Sequence, residues 1–230
     1  MFEVITLDLD DTLWDPRPAL LRAENAQYAW LAEHAPQVAA RYSKEDLRSL
    51  RADLAHRRPR EACDMSWLRR TALVQRLVEF DLAEELADEG MRVFHAERSA
   101  VELYPDVRPA LHRLSQRYRL LALTNGNADI HRAGVGNYFV GCISPAQAGF
   151  RKPEPEIFAH ALTKVGAVAG RAVHIGDHPV DDIEGGRGAG MWTIWINRAQ
   201  QDWPDALPPA DAEIPSLAEL ELALDRLVAM

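Results

Sequence analysis

Residues 2–15 read FEVITLDLDDTLWD, and the fold turns on this stretch. Phe2–Leu9 is apolar and β-branched, the composition of a buried strand. It runs into the acid-rich turn Asp8-Leu9-Asp10-Asp11-Thr12, after which Asp15-Pro16 looks like an N-cap followed by proline at the first helical position. Asp8 and Asp10 stand one pleat repeat apart, so the pattern points both carboxylates the same way. From there to about Ser99 the signals are helical. Apolar residues recur at Leu20, Leu21, Tyr28 and Leu31, at Leu47, Leu50 and Leu54, and at Leu68, Leu73, Leu77 and Phe80. A further helix is predicted over Leu86–Phe94, with Ser43 and Ser66 as N-caps.

At Tyr104-Pro105-Asp106 the character changes, and helices alternate with short apolar strands. Strands are predicted at Arg119–Leu123, Phe139–Ile143, Ala172–Ile175 and Trp192–Ile196; helices at Val107–Arg117, Pro155–Val165, Asp182–Ala189 and Leu217–Val228. Alternation implies a parallel, doubly wound sheet with helices on both faces. The opening strand has no partner nearby and must join that later sheet. The expected organisation is an α/β, Rossmann-like core of residues 1–15 and 100–230, with residues 16–99 inserted as a helical cap. Asp202–Pro215 reads as a linker.

Composition narrows the function. The chain has 230 residues, 47% hydrophobic and 27% charged, with a net charge of −9. That balance argues against a nucleic-acid surface, which needs clustered Lys and Arg, while a local site can still be positive inside a negative envelope. Cys63 and Cys142 are too few for a disulfide framework. The N-terminus carries no basic leader region, and no apolar run is long enough to span a bilayer, so a cytoplasmic protein is expected. Lysine is scarce: Lys44, Lys152 and Lys164 are the whole set.

Ligands of a doubly wound sheet bind at the carboxyl ends of its strands. After the first strand comes Asp8–Thr12, after the second Thr124-Asn125-Gly126. A later loop holds Arg151-Lys152-Pro153, and Ala172–Ile175 leads into Gly176-Asp177 with Asp181-Asp182 beyond. About four carboxylates (Asp8, Asp10, Asp177 and Asp181 or Asp182) would then converge with Lys152 as the only cation. Like charges at 4 Å cost roughly 4 kcal/mol each at the effective dielectric of a protein surface. Such a cluster requires a metal, and all-oxygen donors without a Cys or His cluster suit Mg²⁺ above Zn²⁺.

Asp8–Leu13, Thr124–Gly126, Lys152-Pro153 and Gly176–Asp182 resemble, in order, the four motifs of the haloacid dehalogenase-like superfamily. The resemblance spans the whole chain and implies a phosphatase of small phosphomonoesters. It implies that Asp8 attacks phosphorus and forms an aspartyl-phosphate. Asp10 would protonate the leaving oxygen and later activate water. Thr124 and the Asn125 backbone would hold phosphate oxygens while Lys152 orients and neutralises. Asp8, the Asp10 carbonyl and Asp177 would ligate Mg²⁺. The match to Asp-Asp-Ile-x-Gly favours Asp182 over Asp181 in the metal site, the other capping a helix. Asp11 is expected to face away.

Within the superfamily, Asp8–Pro18, Thr124–Ala128 and Gly136–Phe139 are similar to bacterial phosphatases of flavin mononucleotide and a riboflavin precursor. Arg60 and Trp67, in the Arg58–Arg70 segment rich in guanidinium and indole, are candidate contacts for a planar leaving group. Their plain alternative is ordinary cap core and a solvated face. His174 reads as core, and His178 sits in the metal loop. Gly185–Gly190 lacks GxGxxG spacing and is better explained by helix packing. Two rival readings remain: a 2-haloacid dehalogenase, which lacks the second carboxylate of DxD, and a receiver-like phosphoacceptor module. Oligomeric state does not follow from the sequence.

Overall fold

A strand fully buried on both faces needs a neighbour on each side, and the opening strand finds both far along the chain. A computed structural model describes residues 1–229. Among these, the strands are β1 (Val4–Leu7), β2 (Arg119–Leu123), β3 (Cys142–Ile143), β4 (Ala172–Gly176), β5 (Trp192–Ile196) and β6 (Ala212–Ile214). They form one sheet in the order β3-β2-β1-β4-β5-β6. Every pairing is parallel; β1 pairs with β2 through Ile5 and Leu120 and with β4 through Ile5 and Val173. The expected α/β, Rossmann-like core is therefore present. Its order reverses between β1 and β4, so the loops after these two strands diverge and open a crevice there.

The chain divides into two units: Met1–Asp15, Glu102–Gly126 and Gly134–Met230 in one, Pro16–Val101 and Asn127–Ala133 in the other. The division falls a little later than the expected boundary at residue 100. Unlike the expected organisation, it also groups Asn127–Ala133 with the helical unit. Two hydrogen bonds explain that grouping: Asn127 Nδ2 donates to Ser66 Oγ at 3.1 Å and the Asp129 amide to Ser99 Oγ at 3.0 Å. In the sheet unit, Leu121, Leu123, Ile143, Phe158 and Ala172 pack one face of the sheet against the helix Pro155–Val165.

Several elements differ from the sequence reading. β6 lies inside the stretch read as linker; it is an edge strand of three residues, too short to show alternation. The expected strand from Phe139 is reduced to Cys142–Ile143 because Gly136–Tyr138 forms a tight 3₁₀ turn just before it. Asp64, not Ser66, caps the helix Met65–Val78, its carboxylate accepting from the amides of Ser66 and Trp67. The helix expected over Asp182–Ala189 is a π-helical turn, Pro179–Glu184, followed by Gly185–Gly188.

The helical unit has its own core, built from Trp30, Leu31, Val38, Leu73, Leu77, Ala87 and Met91. Gly90, in the helix Leu86–Arg98, lets Trp30 of the helix Pro16–His34 lie directly on its backbone. A Cβ at Gly90 would stand 2.8 Å from Trp30 Cζ3 and 3.3 Å from Leu73 Cδ1. Gly90→Ala gains about 1 kcal/mol of helix propensity, but overpacking costs roughly 1–3 kcal/mol. The substitution is expected to lower the Tm in thermal denaturation despite the better helix former; a raised Tm would show that Trp30 moves aside without cost.

Candidate active site

The chemistry gathers where β1 and β4 end. β1 stops at Leu7, so Asp8 sits one residue beyond it, its amide donating to the Ile175 carbonyl at 2.9 Å. Asp8 and Asp10 thus leave the strand before they could share a pleat. Asp8 is 7% exposed and Lys152, whose Nζ donates to Asp8 Oδ1 at 2.6 Å, is 1% exposed. The same ammonium donates to Asp182 Oδ1 at 2.5 Å. Asp8, Asp177 and Asp182 bring carboxylate oxygens within 4.8 Å of one another. Three buried acids thus face one lysine.

Each partner is held from behind. Asp182 Oδ2 accepts the His178 amide at 2.9 Å and Oδ1 accepts from His174 Nε2 at 3.0 Å. Asp177 Oδ1 accepts from the Thr12 hydroxyl at 3.3 Å, and its carbonyl accepts from Trp195 Nε1 at 2.7 Å. Thr12 is anchored in turn by Arg198, whose Nε donates to the Thr12 carbonyl at 3.0 Å while its other nitrogens grip Asp106. Asn125 clamps Lys152 at both ends of its peptide, accepting the Lys152 amide at 2.8 Å and donating to the Lys152 carbonyl at 2.9 Å. Thr124, 2% exposed, accepts the Gly126 amide at 2.9 Å, which leaves its own hydroxyl proton free to be donated.

Charge follows from this crowding. Burial, with Asp182 and Asp177 adding to it against the pull of Lys152, pushes Asp8 well above the usual carboxylate range. Asp177 is pushed up to about 7 by burial, then by Asp182 and Asp11. Burial alone would raise Asp182, but Lys152 and His174 hold it below its ordinary value. Lys152 is raised, since Asp182 and Asp8 outweigh its burial. One ammonium satisfies one carboxylate, and two acids are left in excess of their charge partners. Oxygen donors so placed fit a hard divalent cation. Asp182 already spends both oxygens on protein donors, so Asp8 and Asp177 have the greater capacity to ligate.

Asp10 is not one of the three clustered acids; its Oδ1 accepts from the buried indole of Trp14 at 2.8 Å. Asp11 adopts φ 57°, a left-handed conformation that Asp tolerates in a turn, and it is near enough to raise Asp177. Asp181 accepts from Asn125 Nδ2 at 3.1 Å, and the turn's cap is the His178 imidazole, which accepts the Asp181 amide at 3.0 Å. Arg60 and Trp67 belong to the helical unit, where Arg60 is exposed. Trp67 packs beside Leu50, Leu54, Leu68 and Ala72, with Arg58 over its ring at 5.2 Å. Sequence reasoning missed Thr12, Trp195 and Arg198, and gave His174 only a packing role. The Thr of the DxDxT spacing was the one signal available for any of them.

The chain matches the haloacid dehalogenase-like hydrolase family over residues 2–190. It belongs to that family. It is 30% identical over 224 residues to the 5-amino-6-(5-phospho-D-ribitylamino)uracil phosphatase YigB of Escherichia coli, covering 94% of this chain and 93% of that one. A phosphoserine phosphatase of Thermus thermophilus is 34% identical over 148 residues, 61% of this chain and 59% of the relative. The crystal structure of a 2-haloacid dehalogenase from Pseudomonas syringae superposes with a TM-score of 0.91 at 40% identity, covering 99% and 100% of the two chains. The chain is thus a hydrolase, and its curated relatives are phosphoric monoester hydrolases. No described helix is long and apolar enough to cross a membrane.

The raised acids carry a pH consequence. A carboxylate whose folded pKa is raised makes the native state bind more protons than the unfolded one, so stability falls as pH rises from the unfolded to the folded value. For Asp177 that window runs from the ordinary 3.8 to about 7. In chelator, the Tm is expected to fall by several degrees across it, at roughly 2–4 °C per kcal/mol for a chain of this size. Asp177→Asn should flatten the fall, and Mg²⁺ should raise the Tm more at pH 7 than at pH 4.5, because ligation displaces protons. Equal stabilisation by Mg²⁺ at both values would contradict the ligand assignment.

Proposed function

We propose that the chain is a Mg²⁺-dependent phosphatase that hydrolyses a small phosphomonoester through an aspartyl-phosphate at Asp8. The observation that carries this reading is the charge excess at the β1 and β4 ends: Asp8, Asp177 and Asp182 against Lys152 alone. Asp8 and Asp177, with the Asp10 carbonyl as a further donor, would hold the cation, which would supply screening of the acids against an incoming phosphate dianion. Lys152 is fixed on Asp8 and neutralises the incoming phosphoryl oxygens as a compact point charge. The Thr124 hydroxyl and the amides that follow it hold the transferred oxygens.

Asp8 Oδ attacks phosphorus and the ester oxygen leaves, taking a proton from Asp10. Asp10 then removes a proton from water as it attacks the aspartyl-phosphate, which regenerates the Asp8 carboxylate and releases inorganic phosphate. The Trp14 indole holds one Asp10 oxygen through both steps. Likeness to the E. coli phosphatase along nearly the whole chain supports a substrate like 5-amino-6-(5-phospho-D-ribitylamino)uracil; flavin mononucleotide rests on the motif resemblance alone. Arg60 and Trp67 remain the candidate contacts for its planar leaving group; the packing of Trp67 gives it a structural task as well. The superposition on a 2-haloacid dehalogenase favours one second reading, displacement of halide by the same Asp8.

Asp8→Asn is expected to fold and to abolish turnover on a panel of phosphomonoesters. Activity within tenfold of wild type would end the mechanism, and halide release from 2-chloropropionate in excess EDTA would favour the second reading. Asp10→Asn separates the two proton steps. It should cost about 10²–10⁴ in rate on an alkyl phosphate, yet a phenyl phosphate with a good leaving group should still phosphorylate Asp8, giving a trapped, acid-stable phosphoenzyme. Equal loss of phosphoenzyme formation on both substrates would remove Asp10 from the acid role.

A further inference from the structure

The centre of a parallel sheet is the costliest place in the molecule for an imidazole, yet His174 sits there with no exposure at all. It occupies the middle of β4, registered beside Thr6 of β1, with Phe158 edge-on to its ring at 5.1 Å. A valine or isoleucine would satisfy such a position through packing alone, and burying a polar ring is tolerated only when its nitrogens are bonded. Both are. Nδ1 lies 2.7 Å from Thr6 Oγ1, and Nε2 lies 3.0 Å from Asp182 Oδ1.

These contacts join a continuous chain. Thr6 leads to His174, His174 to Asp182, Asp182 to the Lys152 ammonium at 2.5 Å, and Lys152 to Asp8 at 2.6 Å. Carboxylates accept only, so Nε2 must carry the proton shared with Asp182, and the Thr6 hydroxyl then donates to Nδ1. Burial disfavours the charged imidazole, which agrees with this tautomer. A neutral ring adds a hydrogen bond to Asp182 without competing with Lys152 for its charge. The local backbone makes room for it: a Cβ at Gly176 would stand 2.1 Å from Asp182 Cγ, and one at Gly186 3.2 Å from His174 Cβ.

We propose that His174, its tautomer set by Asp182 and its Nδ1 held by Thr6, is a positioning residue that aims the Asp182 carboxylate at Lys152 and so holds the ammonium on Asp8. Its consequence for turnover rests on the phosphatase reading; its consequence for Lys152 does not. The carboxylate of Asp182 has a third donor, the His178 amide on Oδ2, which stops translation but leaves Oδ1 to be oriented by His174.

The test exploits the scarcity of lysine. Of Lys44, Lys152 and Lys164, the first and last are exposed, so protein carrying ¹⁵N-lysine should show one ammonium signal protected from exchange, that of Lys152. Glutamine places an amide nitrogen near the position of Nε2, and leucine fills the volume without a donor. His174→Gln is expected to keep the protected signal and stay within about threefold of wild-type kcat. His174→Leu should fold, lose the protected signal and lower kcat by about 10–100-fold, the usual cost of removing a partner one shell behind a site. A pure packing role predicts the reverse ranking, and a folded His174→Leu with the signal and rate intact would overturn the proposal. If His174→Leu does not fold, Thr6→Val decides: weakened protection of Lys152 supports it, and an unchanged signal with unchanged kcat refutes it. Loss of protection without any phosphatase activity in wild type would sink the function but leave the positioning role standing.

Discussion

Lys152 sits between Asp8 and Asp182, 2.6 Å from one and 2.5 Å from the other, with almost no exposure to water. A lone buried ammonium would be expelled or neutralised, and so would either carboxylate. Each is tolerable only because the other two are fixed in place, and most of the surrounding structure serves that requirement. Asn125 grips the Lys152 peptide from both sides, so the loop carrying the lysine cannot slide along the crevice. Gly185 lets Phe158 and Pro153 close over the same loop; a Cβ there would meet Phe158 at 2.7 Å and Pro153 Cα at 2.9 Å. Removal of one partner of such a buried set costs about 3–5 kcal/mol, since it strands the others.

The sheet explains why these residues meet at all. Parallel strands all end on one edge, and the reversal of order between β1 and β4 separates the loops that leave them. Asp8 and Asp177 occupy corresponding places, one residue past Leu7 and Gly176. Because their backbones are set by adjacent, hydrogen-bonded strands, the spacing of their carboxylates is inherited from strand geometry rather than from flexible loops. Trp195 extends the same rigidity one strand further by fixing the Asp177 carbonyl from β5. The acids are thus pre-set at a distance where they repel, a repulsion that a divalent cation would relieve.

Much of this was legible in the sequence because strand ends announce themselves by an abrupt change from apolar to acidic residues. Leu7-Asp8 and Gly176-Asp177 are such changes, and the sheet brings them together as their positions require. The illegible parts share a physical cause: their signals are not local. β6 is a strand only because β5 offers it an edge, and nothing in Ala212-Glu213-Ile214 alternates long enough to show it. Ser66 and Asp64 are both good caps by type, and only the backbone decides that Asp64 reaches two amides. His174 lies within the apolar run Ala172-Val173-His174-Ile175, where periodicity assigns core. Its bonds go to residues 168 positions earlier and 8 later, the first beyond any window. The Asp10 side chain was read through a pleat that ends two residues too soon, so its anchoring by Trp14 could not be anticipated.

Fold alone does not choose between the two chemistries that this family's name and its relatives' names suggest, since similar chains bear both names. Charge does discriminate. Halide displacement from a 2-haloacid needs one ionised nucleophile beside a cationic pocket for the substrate carboxylate. Additional acids at that point repel the substrate, by roughly 4 kcal/mol for each pair at 4 Å and an effective dielectric of 20. Here Asp177 and Asp182 stand with Asp8 around a single ammonium, so ionising all three acids leaves a negative excess that only protons or a cation can offset. Were a cation bound, the same acids would become an asset, because under the proposed reading they would hold it beside Asp8 and leave Lys152 to the transferred oxygens. The excess of carboxylates fits a site that binds a divalent cation, and it supports the proposed phosphatase reading over halide displacement.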